Sequence, residues 1–82
     1  MGTRLRIGTW RVMIYTHDHA PAHVHLVGPH GRAKIALNCP EGPVVLIDSR
    51  GIDAGTLKRA LGQIEQELSA LCEDWRLMHG TY

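Results

Sequence analysis

The sequence predicts an α+β fold in which a small antiparallel sheet of about four strands is packed on one long C-terminal helix. Three observations lead there. Four short runs are rich in β-branched and aromatic residues or alternate apolar with polar ones. The connections between them are shorter than the dozen or so residues that a parallel crossover needs. Beyond Gly51 the apolar period lengthens from two residues to between three and four.

The runs are 10–15, 22–27, 32–37 and 44–48, with 4–7 as a shorter strand or lead-in before Gly8. Pro21 removes an amide donor and restricts Ala20, so the chain from His17 to Pro21 is a loop. Gly28-Pro29-His30-Gly31 and the stretch from Asn38 to Pro43 are turn signals. Leu57, Leu61, Ile64, Leu68, Leu71, Trp75 and Met78 recur every three or four residues, along one side of a helix with Asp53 as N-cap and Gly80 as stop. Gly62 and Glu73 are the places where that helix is expected to bend or break. The stripe reads as a cover for the sheet rather than a coiled-coil seam, because a sheet with one apolar face must bury it.

At 82 residues there is room for one domain, 1–82, with a single core. Hydrophobic residues at 44%, charged residues at 21% and a net charge of +1 describe an ordinary globular chain, so bulk charge selects no partner. No apolar run approaches the roughly 20 residues that span a bilayer, and residues 1–7 lack a signal core, so a cytoplasmic location and no membrane partner are expected. Cys39 and Cys72 form no C-x-x-C. They speak against a zinc ribbon or a disulfide-dense scaffold and are expected as buried or half-buried thiols.

Chemistry concentrates in His17-Asp18-His19-Ala20-Pro21-Ala22-His23-Val24-His25, which holds four of the six histidines. Side chains two apart share a strand face. Trp10, Val12, Ile14, Val24, Leu26, Ala33, Ile35 and Leu37 then lie under the helix, and Arg11, Tyr15, His23, His25, Arg32 and Lys34 gather on the open face. Cations, an aromatic ring and imidazoles on one face suit phosphate contact and base stacking, so Arg11, Tyr15, Arg32 and Lys34 are the candidates for binding RNA or a partner. A merely solvated face is the plain alternative.

Three readings of the histidines stay open. Asp18, His19, His23 and His25 offer nitrogen and carboxylate ligands for a divalent metal, with an open position that would make the site a hydrolytic one. His25 and His30 also form H-x-H-x4-H, a faint likeness to the cupin metal motif without its glutamate. Alternatively His19, His23 and His25 act as metal-free acids and bases in RNA cleavage, beside Arg32 or Lys34. In the third reading Asp18 accepts backbone amides and His19 or His23 pins the loop through a ring N–H.

The pattern Asp18-His19-x-Pro21-x-His23-x-His25 follows an apolar strand and precedes a strand, a turn, a strand and a helix bearing Trp75. It resembles the small bacterial family called domain of unknown function 4160, from about Trp10 to His79. The family signature is similar to D-H-x-P-P-H-x-H-V; here Ala22 replaces the second proline, Val24 the frequent aromatic and Leu26 the last valine. His30 lies outside it. The resemblance implies a fold without an established activity. It also implies a candidate toxin–antitoxin component, because similar proteins are encoded beside another small domain, a cognate partner. The expected function is thus a toxin-like or regulatory protein whose open face binds RNA or a cognate protein. The alternatives are a metal-binding domain or metal-dependent hydrolase, and a non-catalytic interaction module.

Overall fold

The computed structural model describes residues 3–82. Five strands and two helices follow in order: β1 (Thr3–Ile7), β2 (Trp10–Met13), β3 (His23–Val27), β4 (Arg32–Ala36), β5 (Val45–Arg50), α1 (Ala54–Gln66) and α2 (Leu68–His79). The strands form one antiparallel meander in sequence order, as the short connections demand. The class is the expected α+β. The four-strand count is corrected to five, because Leu5 and Ile7 alternate with Arg4 and Arg6 and pair with β2 as a full edge strand.

Alternation holds from β1 to β4, whereas β5 leaves Val45, Leu46 and Ile47 exposed. Val12, Ile14, Val24, Leu26, Ile35 and Leu37 are fully buried against Ile64, Leu71 and Trp75 of the helices, and Trp10 seals the same core. At the β3–β4 turn Gly28 lies against the Trp10 ring, where any Cβ would collide with it. Asp53 caps α1, its carboxylate accepting the Thr56 amide at 2.9 Å, and Gly80 closes α2 at φ 84°.

The single helix is corrected to two. The break falls at Glu67, not at Gly62 or Glu73. Both sides of the break are tied to the β4–β5 connection: the Glu65 carboxylate accepts the Val44 amide at 2.9 Å, and Cys72 is bonded to Cys39. The thiols expected for the cysteines are likewise corrected: Cys39 and Cys72 form a disulfide, 33 residues apart in sequence, which fastens the β4–β5 connection to α2. Among the described residues no helix is long and apolar enough to cross a membrane.

Candidate metal centre and binding face

The chain leaves the core after Ile14 and turns back at Asp18. The Tyr15 amide donates to Asp18 Oδ2 at 2.9 Å and the Asp18 amide donates to the Tyr15 carbonyl at 3.1 Å, so a local turn aims the carboxylate at β3. There Asp18 Oδ1 meets His25 Nε2 at 3.1 Å and His23 Nε2 at 3.5 Å. One ligand atom from each of the three residues lies within 4.8 Å of the others.

The His23 ring is oriented from behind. Its Nδ1 lies 2.9 Å from the Pro21 carbonyl, which can only accept, so Nδ1 carries the hydrogen and Nε2 of the neutral ring presents a lone pair toward the carboxylate. Two electron-rich atoms facing each other call for a cation between them, a proton or a metal ion. An imidazole fixed through its far nitrogen by a carbonyl is the arrangement that supports metal ligation. Tetrahedral ligands at roughly 2.0–2.2 Å stand about 3.4 Å from one another. The two Asp18 separations fall close to that, and all three ligand atoms lie within 4.8 Å of one another.

Asp18 is held below the usual carboxylate range. Burial raises its pKa, but the Tyr15 amide, the His25 hydrogen bond and the charges of His25 and His23 together outweigh burial. A depressed folded-state pKa stabilises the fold above the ordinary carboxylate value and loses that contribution as pH falls through the folded value. Asp18→Asn is therefore expected to flatten the acid limb of a stability–pH curve below about pH 4. Urea midpoints across that range check it, and an acid limb identical to that of the unsubstituted chain would count against the assignment.

His23 requires a correction. Period two sets it on the open face beside His25, and the two rings do meet at 5.1 Å, yet His23 is only 6% exposed. As the first residue of β3 it sits at the end of the sheet, where α2 brings Trp75 to 5.1 Å from its ring. His25 keeps the expected half-open position, tilted against the Tyr15 ring at 4.8 Å. His19 is exposed and stands outside the three-residue group, and His17 is exposed as well. His30 packs edge-on against Trp10 at 5.6 Å, remote from the group.

Two depressions meet at this point. One, of about 330 Å³, lies over the loop and is lined by His17, His19, His23, His25, Lys34 and Ile47. The other, of about 480 Å³, runs along the open face between Tyr15, His25, Arg32, Lys34, Asp48 and Arg50. His25 and Lys34 belong to both. Arg11 lies on the same face, its neighbour across β3 being Val27. Asp48 and Arg50 were not anticipated from the sequence, although their spacing with Ser49 between them carries the alternation of β5.

A family model described as Domain of unknown function (DUF4160) matches residues 9–76. No curated protein and no solved structure matches the chain.

Proposed function

We propose, for a chain that belongs to the family Domain of unknown function (DUF4160) and takes no activity from that membership, that Asp18, His23 and His25 hold a divalent metal ion. The observation that carries this reading is the approach of both Nε2 atoms to Asp18 Oδ1, with His23 fixed by the Pro21 carbonyl. Two imidazoles and one carboxylate suit zinc and similar borderline ions. Three protein ligands leave a position for water, and a metal-bound water is a nucleophile near neutral pH, the chemistry of a small hydrolase.

Protein purified without a histidine tag is expected to carry or take up one equivalent of zinc, read by elemental analysis and titration calorimetry. His23→Gln should weaken binding by more than the roughly 10–100-fold that loss of a supporting partner costs. His19→Gln should leave it unchanged. Equal zinc affinity in the unsubstituted chain and His23→Gln overturns the reading.

A second reading is supported by the groove beside this centre, where three cations face one carboxylate. In it the open face binds RNA or a cognate small protein, as a toxin–antitoxin-like component in the cytoplasm. Induced expression with and without the neighbouring gene tests the two-gene role, and unaffected growth in both cases removes it. If Asp18→Asn binds its partner undiminished, the surface is a non-catalytic interaction module. Disulfides are rare in the cytosol, so in that setting Cys39 and Cys72 would be thiols.

A further inference from the structure

The strand register brings together residues that are far apart in sequence. Arg6 opposes Arg11, Arg11 opposes Val27, Val27 opposes Arg32, and Arg32 opposes Arg50. Directly opposed residues share a face, so these form one row across all five strands on the side away from the helices. Four of its five members are arginines. With strands about 4.8 Å apart the row is about 19 Å long.

Like charges placed directly opposite are destabilising. The row contains two such pairs, Arg6 with Arg11 and Arg32 with Arg50. Among the described residues none of the four forms an ion pair with a carboxylate. The fold therefore holds a line of unneutralised cations on a chain whose net charge is only +1. Most acidic residues, Asp53, Glu65, Glu67, Glu73 and Asp74 among them, lie on or beside the helices, on the other side of the sheet. The next row along the sheet carries Met13, His25, Lys34 and Asp48, the last a carboxylate directly opposite Lys34, and beyond it stands Tyr15, 39% exposed.

We infer that this row is a track for the phosphodiester backbone of a single-stranded nucleic acid lying across the strands, with its bases turned toward His25 and Tyr15. The inference rests on the second reading above, that the open face is a binding surface, and names what it binds. A line of anions relieves the two opposed arginine pairs. Guanidinium forks match phosphate oxygens, and aromatic rings one or two rows away supply stacking for bases of any sequence. An acidic protein segment would meet the charges but has no use for the ring platform.

The test is fluorescence anisotropy with a labelled single-stranded RNA of about twelve nucleotides and a DNA of the same sequence, within the site sizes such grooves take. Four phosphate contacts predict a slope of log affinity against log salt of about −2.8. The pair Arg6→Gln and Arg50→Gln should cut that slope to about −1.4 and weaken binding at least about tenfold at low salt. Lys58→Gln with Arg59→Gln on α1 removes the same charge from the helical side and should leave binding unchanged. Both replaced row residues sit on exposed edge strands, and thermal melts should show no loss of stability; if they do, Arg11→Gln with Arg32→Gln is read instead.

Undiminished RNA and DNA binding by both row variants overturns the track while leaving the open face as the surface, through Lys34 and His25. Row-dependent binding of polyglutamate as tight as that of RNA overturns the nucleic-acid assignment in favour of an acidic protein. If the unsubstituted chain binds none of the three probes, the track falls, and of the second reading only the cognate protein is left.

Discussion

Trp75→Ala is expected to cost the fold about 3–5 kcal/mol, the range for deleting a large aromatic from a core. Trp75 is fully buried, its ring lies 4.1 Å from that of His79 and 5.1 Å from that of His23, and its Nε1–H donates to the Thr81 carbonyl at 2.7 Å. It thus joins α2 and the chain end to the first residue of β3. The cavity left by alanine opens directly behind a proposed metal ligand, so zinc affinity should fall together with stability. For a domain of this size each kcal/mol moves the melting temperature by about 4–8 °C. Trp75→Phe keeps most of the volume and gives up the Thr81 hydrogen bond, which alone is worth about 1 kcal/mol. Leu77→Ala on the same helix, at a side chain 69% exposed, should stay within about 0.5 kcal/mol of the unsubstituted chain. Guanidinium unfolding of the three variants ranks them, and a Trp75→Ala cost below that of Trp75→Phe would show that this ring does not anchor the site.

The sheet was legible because its strands carry a period that only one arrangement satisfies. Val12, Val24 and Ile35 had to share a face with one another and with the helix, and they do. The first strand was legible in the same way, through Arg4, Leu5, Arg6 and Ile7, but its shortness made it read as a lead-in. Glu67 was not legible as a helix break: it is neither glycine nor proline, and the apolar spacing continues through it unchanged. One of the three readings of the histidines expects an Asx turn at Asp18 and a ring N–H pin from His19 or His23; a turn at Asp18 and the His23 ring N–H are what bring Asp18 and His23 together, and His19 takes no part. The burial of His23 was not foreseen, because period two fixes a face but says nothing of where along the strand another element closes over it. Nor does any one strand contain the arginine row, which exists only once the register of four strand pairs is set.

The pairing of Cys39 with Cys72 belongs with the features only the fold reveals, and its removal is the second large effect expected. Closing a loop of 33 residues is worth about 3–4 kcal/mol by the chain-entropy argument, since it restricts the unfolded chain far more than the folded one. Against a total stability of about 5–15 kcal/mol for a small domain, that is a large share. Reduction should lower the melting temperature by roughly 15–25 °C. Melts with and without a phosphine reductant, with two thiols titrated in the reduced sample, measure it; an unchanged midpoint with both thiols free would mean that packing alone holds α2 in place. The consequence reaches the proposed metal centre. Cys72 lies three residues before Trp75, close to one helical turn, and both are buried against the sheet. Once the bond is gone, what keeps Trp75 behind His23 is apolar contact, the Thr81 hydrogen bond and, just beyond it, the Ala22 amide donating to the Tyr82 carbonyl at 2.8 Å. Zinc binding should therefore weaken in the reduced chain before it unfolds, whereas RNA binding by the arginine row, built on strand pairing alone, should not. That difference separates the two halves of the open face by what supports each of them.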